Sequence, residues 1–379
     1  MPFDLDGLLR LAIERRASDL HLKVGAPPAL RIDHQLVPVQ DQPGLTRADL
    51  EATICLVATE SQRQQFAQRR ELDVSYDVAG LGRFRTNLFQ QRGMVGVAFR
   101  AIPLTVQTIE ELNLPPIIGK LAMEPRGMVL VTGTAGSGKS TTLAAMISHI
   151  NSHTTGHIVT IEDPIEFLHR DNRCLINQRE VGIDTKSFAD ALRSALRQDP
   201  DVILVGEMRD LDTISTAIVA AETGHLVLST LHTIDATETI NRIIAIFPPY
   251  QQKQIRLQLA SLLRGVISMR LIPQADGKGR VPAVEVMVVT ATIREYITDA
   301  DKTRKIPEVI AAGTSEYGMQ TFDQSLMSLY QRGLVSYEEA LQWSSNPNDF
   351  ALKVRGIQTA ADQPWIVERQ GGFRERKLR

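Results

Sequence analysis

The chain has 379 residues, 43% hydrophobic and 23% charged, and a formal net charge of −2, the composition of an ordinary soluble globular protein long enough for two domains with their own cores. Without a basic excess, nucleic acid is disfavoured as the main partner; Cys55 and Cys174, the only cysteines, exclude a disulfide scaffold or a Cys-type zinc site and fit a reducing cytosol. The acidic opening Met1-Pro2-Phe3-Asp4-Leu5-Asp6 is no signal peptide, and no apolar run approaches ~18 residues, so neither export nor a membrane span is expected.

Residues 1–100 read as a small α+β domain. Leu5, Leu8, Leu9 and Ile13, with Ala12 on the same face, define an amphipathic opening helix, and short alternating runs such as Leu72–Asp77 and Val95–Arg100 read as strands. Over residues 101–116 the pattern weakens around Pro103, Pro115 and Pro116, as in a linker. Residues 117–290 alternate apolar strands with helices: Met128–Val131, His157–Ile161, Asp201–Val205, Leu226–Ser229 and Ala283–Val288. Such alternation predicts an α/β domain with a mostly parallel sheet covered on both faces. Residues 291–362 look helical, with Phe322, Leu326, Leu329 and Tyr330 on one stripe and a second helix over Tyr337–Trp343. Residues 363–379 are polar and arginine-rich, a pattern that predicts disorder.

The stretch Gly133-Thr134-Ala135-Gly136-Ser137-Gly138-Lys139-Ser140 fits G-x-x-x-x-G-K-[ST], with Met128–Val131 before it and Thr141–Met146 after it. Phosphates need this strand, loop and helix. Successive backbone N–H groups make an anion nest, glycines let the chain approach the charge, and the helix N-terminus adds its positive dipole end. Lys139 then reaches the β- and γ-phosphates, and the Ser140 hydroxyl binds Mg²⁺. The bland alternative is a glycine-rich turn.

Three further constellations stand at the carboxyl ends of expected strands, where a nucleotide site in such a sheet is built. Thr160-Ile161-Glu162-Asp163-Pro164-Ile165-Glu166-Phe167 ends a strand in three carboxylates, readable also as a solvated acidic turn. Asp199–Asp210 delivers Glu207 to the sheet edge. Gly206 stands where many P-loop enzymes place a Mg²⁺-binding Asp, which leaves Mg²⁺ to Ser140, the phosphates and waters, and leaves Glu207 free to act as base. Thr223–Thr233 brackets a strand with His225 and His232, candidates for sensing a γ-phosphate as against hydrogen-bonded scaffold residues.

In these four ordered motifs, over about Ser18 to Trp343, the chain resembles the type II/IV secretion ATPases, and within them the type IV pilus twitching-motility ATPases of the PilT/PilU family. The resemblance implies a PAS-like N-terminal domain, a RecA-like P-loop NTPase domain with C-terminal helices, and a homo-hexameric ring that hydrolyses ATP to drive pilus disassembly. By position, Gly133–Thr141 bind ATP with Mg²⁺, Glu207 is the catalytic base, Glu162 helps order Mg²⁺ or water, and His225 with His232 respond to the γ-phosphate. Arg83, Arg85 and Arg100 lie where family members bring positive charge to ATP, a role that competes with a solvated strand edge; Arg197 and Arg209 are candidates for pairing with nearby carboxylates. The implied partners are an inner-membrane pilus platform protein and a paralogous pilus ATPase, met at the cytoplasmic face of the inner membrane, with no nucleic acid.

The stretch Met269–Gly277 lacks the cysteines of the zinc insertion found in assembly ATPases, which favours the retraction branch. PilT proteins carry Ala-Ile-Arg-Asn-Leu-Ile where this chain has Thr292-Ile293-Arg294-Glu295-Tyr296-Ile297, while Gly318–Leu326, the Tyr337–Leu341 helix and the long tail look PilU-like. Primary and accessory motor therefore both stay open. A RecA-like nucleic-acid translocase and a ring-forming regulator with little turnover are the rival functions; salt-dependent binding of single-stranded DNA tests the first, and steady-state phosphate release tests the second.

Overall fold

The computed structural model describes residues 3–32, 35–102 and 105–356. The stretch 363–379, expected to be disordered, lies outside these residues, as does Pro103. Contacts group the described residues of Met1–Thr108 and Ser140–Ser229 into one compact unit, and those of Ile109–Lys139 and from Thr230 onward into another.

The chain opens with α1 (Leu5–Glu14), whose first turn is capped by the Asp4 carboxylate accepting from the Gly7 N–H at 2.9 Å. It buries Leu5, Leu8, Leu9 and Ala12. Ile13, expected on this face, is 38% exposed, because at 100° per residue it falls on the margin of the stripe. There follow β1 (Asp19–Lys23), β2 (Ala29–Ile32), β3 (Gln35–Pro38), α2 (Arg47–Val57), α3 (Glu60–Arg69), β4 (Glu71–Val78), β5 (Gly82–Gln91) and β6 (Met94–Ala101). Capping boxes start both helices, Thr46 with Asp49 and Thr59 with Gln62. The strands form an antiparallel sheet in the order β3-β2-β1-β6-β5-β4. Its core joins Leu9, Leu20, Leu22, Leu50, Phe84, Leu88 and Phe99.

Beyond it come α4 (Ile117–Ala122), β7 (Gly127–Thr132), α5 (Lys139–His153), β8 (Gly156–Glu162), β9 (Cys174–Glu180), α6 (Phe188–Ala195), β10 (Val202–Val205), α7 (Leu211–Glu222), β11 (Leu226–Leu231), α8 (Ala236–Ile246), α9 (Pro249–Leu262), β12 (Leu263–Pro273) and β13 (Arg280–Val288). The second sheet runs β13-β12-β7-β11-β10-β8-β9. Strands β9, β8, β10 and β11 pair in parallel, as do β7 and β12, whereas β13 is antiparallel to β12. Every residue of β7, β10 and β11 is buried, which is why they read as unbroken apolar runs. The fold is therefore α/β: a sheet-rich N-terminal part, then a mostly parallel NTPase-type sheet. Two of its strands were not foreseen. β12 continues from α9 without a glycine or proline between them, so no break in the sequence marks its start, and β9 is an edge strand carrying Asn177, Gln178, Arg179 and Glu180, so it shows no apolar period.

The remaining elements are helical: α10 (Ala291–Thr298), a 3₁₀ turn at Thr303–Lys305, α11 (Ile306–Ala312), α12 (Thr314–Tyr317), α13 (Phe322–Gln331), α14 (Tyr337–Trp343) and α15 (Pro347–Val354). Phe322, Leu326, Leu329 and Phe350 bury against Ile272, Val281 and Ala283 of β12 and β13, with Tyr330 at the edge of the cluster.

Candidate functional site

Strand β7 ends directly in the loop Gly133–Gly138, and α5 begins at Lys139. Three loop glycines have positive φ: Gly133 at 142°, Gly136 at 73° and Gly138 at 98°. At Gly133 a Cβ would lie 2.5 Å from Ser137 Oγ and 2.6 Å from the Met269 carbonyl, so only glycine lets the loop close there. Lys139 is 8% exposed and its ammonium donates to the carbonyls of Gly133 and Thr134, both at 2.9 Å. Ser137 Oγ is buried and has no hydrogen-bond partner among the described residues. A glycine cradle, a buried cation beside it and an unsatisfied hydroxyl inside it fit a phosphate chain. Ser140 and Thr141 occupy the first turn of α5, where the helix dipole favours an anion.

In the first unit, β8, β10 and β11 are parallel, so their carboxyl ends share one edge. Glu162 ends β8 and Glu207 lies two residues beyond β10. The Glu162 carboxylate accepts from the Thr160 hydroxyl at 2.6 Å, the Gln178 amide at 3.2 Å and the Glu166 N–H at 3.4 Å. Burial pushes this carboxyl up from its ordinary range, and those three donors, which favour the ionised form, hold part of the shift back. Glu207 pairs with Arg209 of its own loop, which is exposed where Glu207 is mostly covered. The structure separates the two histidines. His232 follows the carboxyl end of β11, whereas His225 precedes its amino end, on the edge opposite Glu162 and Glu207. Six strand residues at ~3.3 Å each put about 20 Å between the two ends. His225 Nδ1 faces the Ala220 carbonyl at 2.9 Å and the Thr223 hydroxyl at 3.1 Å, closing the end of α7.

The N-terminal arginines are brought to one place. Arg83, Arg85 and Arg100 line a cavity of about 820 Å³ together with Arg16, Thr141 and Glu166. Arg83 donates to buried Glu180 at 2.8 Å and to Asp77 at 3.2 Å, and Arg100 to buried Asp19 at 2.9 Å; Arg85 comes no nearer than 3.9 Å to Asp73. Arg197 donates to the Arg193 carbonyl on the protein surface.

Two residues of β9 were missed by the sequence reading. Gln178 holds Glu162 and also joins the Phe167 carbonyl and the His169 N–H, at 2.9 Å each. Glu180 accepts from Ser75 of β4 at 2.7 Å, from Arg83, and from the Ile165 N–H at 3.3 Å. Only the register of β9 beside β8, Thr160 opposite Gln178 and Glu162 opposite Glu180, brings them there. In the second unit Glu285 was also missed. It accepts from the Ala236 N–H at the start of α8 at 2.9 Å and lies 3.5 Å from Ser268 Oγ, which in turn receives the Thr132 hydroxyl at 3.0 Å. Burial raises the Glu285 carboxyl to about 7, opposed by the Ala236 N–H, Arg270 and Ser268, and reinforced by Asp235.

A buried parallel sheet whose strand enters a glycine nest followed by Lys and Ser at a helix N-terminus defines a P-loop nucleotide-binding protein of the α/β class. The family model of the type II/IV secretion system proteins matches residues 109–299. The chain is 46% identical over 347 residues to the type IV pilus retractation ATPase PilT of Pseudomonas aeruginosa, covering 92% of this chain and 100% of that protein. It is 41% identical over 360 residues to the type IV pilus ATPase PilU of the same organism, covering 95% and 94%. Among solved structures, that of the pilus retraction motor PilT with bound ADP superposes with a TM-score of 0.85 at 46% identity, covering 92% of this chain and 98% of the other. The chain belongs to the type II/IV secretion ATPases and, within them, to the PilT/PilU family of twitching-motility ATPases.

Among the described residues no helix is long and apolar enough to cross a membrane, and no group of three or more His, Cys, Asp or Glu side chains is placed to hold a metal ion.

Proposed function

We propose that this chain is a cytoplasmic ATPase that works as a homo-hexameric ring at the inner membrane and powers type IV pilus retraction, as primary or accessory motor. The observation that carries the reading is the P-loop, with its positive-φ glycines, buried Lys139 and unsatisfied Ser137 hydroxyl, in a chain related along nearly its whole length to PilT and PilU. ATP supplies the phosphoanhydride bond and Mg²⁺ screens its charge. The loop amides and Lys139 hold the β- and γ-phosphates, and Ser140 takes Mg²⁺. Glu207 orients the attacking water and accepts its proton, Glu162 orders Mg²⁺ or water, and His232 reads the γ-phosphate from the end of β11. The arginine cavity neutralises charge that develops on the transferred phosphoryl group. The ring acts on a membrane-embedded platform protein beside a paralogous pilus ATPase.

The test is steady-state ATP hydrolysis by the full chain, with its particle mass measured in the same solution, alongside Glu207→Gln. The amide keeps size and hydrogen bonding but cannot take a proton, so turnover falls by about 10²–10⁴ while ATP still binds. Turnover within about threefold of the parent would move the base role away from Glu207. Absence of hydrolysis by the parent ring would overturn the ATPase reading itself. In cells, loss of the gene abolishes retraction for a primary motor, or weakens it under load for an accessory one.

A further inference from the structure

Helix α1 ends in a Schellman motif. The Ala17 N–H donates to the Ala12 carbonyl at 2.8 Å and the Arg16 N–H to the Ile13 carbonyl at 3.0 Å, the two bonds that define it. The residue after the cap must then be left-handed, and glycine serves best there because it has no Cβ to clash. Here that residue is Arg16, with φ at 53°. A long cationic side chain thus stands at a position whose backbone asks for glycine; its charge at the C-terminus of α1 recovers at most about 0.3–1 kcal/mol through the helix dipole.

The same side chain lines the cavity that Arg83, Arg85 and Arg100 line, with Thr141 one residue past the P-loop serine. Glu166 is its single carboxylate against these four arginines. Arg83 and Arg100 are engaged by buried Glu180 and Asp19. Among the described residues no carboxylate is found within ion-pair distance of Arg16. Glu285 with its chain to Thr132, and the stacked His149–His153 pair on α5, are other groups that the motifs leave unexplained. The first sits sealed in the core, and the second brings two imidazoles together at the end of α5 with no third metal ligand among the described residues, so neither points to a ligand as Arg16 does.

We infer that Arg16 is a further phosphate-binding arginine of this cavity, retained at a left-handed position because its guanidinium contacts nucleotide phosphate. The inference rests on the ATPase reading above. A guanidinium there offers a planar fork of donors to phosphate oxygens, which a lysine ammonium replaces in charge but not in geometry.

Strain and function make opposite demands at this residue, and the experiment uses that. In the full chain, Arg16→Gly relieves the backbone, so Tm stays level or rises by about 1–3 °C, while kcat/KM for ATP falls about tenfold or more. Arg16→Lys keeps the strain and the charge but not the planar fork, so its kcat/KM should fall between those of the parent and Arg16→Gly; a value as low as that of Arg16→Gly would leave charge without any share in the effect. Arg70, the cap of α3 with φ at 65°, is left-handed too but does not line the cavity. Arg70→Gly is therefore the control, expected to gain stability with unchanged ATP kinetics. A level or raised Tm in Arg16→Gly with kcat and KM both unchanged would overturn the assignment, as would equal kinetic losses in Arg16→Gly and Arg70→Gly. A parent chain that hydrolyses no ATP would instead remove the reading on which the inference stands.

Discussion

Glu285 is the clearest case in which a buried charge should report on itself. It is 6% exposed, and its carboxyl is raised from 4.5 to about 7, first of all by burial. Between these two values the unfolded chain has lost the proton that the folded chain still holds. The folded state therefore binds more protons, and stability falls as pH rises through this window, levelling above about 7. At ~1.36 kcal/mol per pH unit the span from 4.5 to about 7 amounts to about 3 kcal/mol, taken as a ceiling. Glu285→Gln cannot ionise, and its Oε1 still accepts the Ala236 N–H. The buried amide can itself cost about 1–3 kcal/mol if it finds no acceptor, but that cost is nearly independent of pH and cancels when two pH values are compared. Urea melts of parent and variant at pH 5 and pH 8 measure the difference. The variant should improve relative to the parent by about 2–3 kcal/mol between the two. Parallel pH dependences in the two proteins would mean that Glu285 ionises freely in the fold, and the reasoning would fail.

Lys139→Ala removes the cation that bridges the Gly133 and Thr134 carbonyls; nucleotide titration should show ATP affinity lost, and unchanged affinity would sink the P-loop assignment. Arg83→Ala leaves buried Glu180 without its guanidinium, a loss of about 3–5 kcal/mol for a broken buried pair, moderated here by Ser75 and the Ile165 N–H. A melt that drops with turnover intact would make Arg83 a clamp on the acidic turn, and an unchanged melt with lost turnover would make it an ATP contact. Arg294 is exposed and donates to the Ala260 carbonyl at 3.1 Å, so Arg294→Ala should cost no more than about 0.5–1.5 kcal/mol and leave ATPase activity nearly intact while retraction in cells fails. Joint loss of Tm and ATPase activity would assign the residue to packing instead.

The P-loop was legible in the sequence because a phosphate nest is local. Gly133, Gly136, Gly138, Lys139 and Ser140 act within one loop and one helical turn, and the short apolar run before them, bounded by glycines, reads as a buried strand. The strands β7, β8, β10 and β11 were legible for the same reason, since burial on both faces leaves no alternation to confuse. The placement of His225 was legible as well but unread: seven residues from His232 along a strand put the two on opposite edges of the sheet. Other features needed the folded chain. Arg83 meets Glu180 across 97 residues of sequence, and Glu285 meets Ala236 across 49. Gln178 reaches Glu162 only because polar β9 pairs beside β8 in one register. No spacing encodes these meetings, because strand register and side-chain burial are decided by the packing of the whole sheet. The grouping of residues 140–229 with the N-terminal segment is of the same kind: a reading along the chain divides it into consecutive stretches, whereas compactness follows contacts in space.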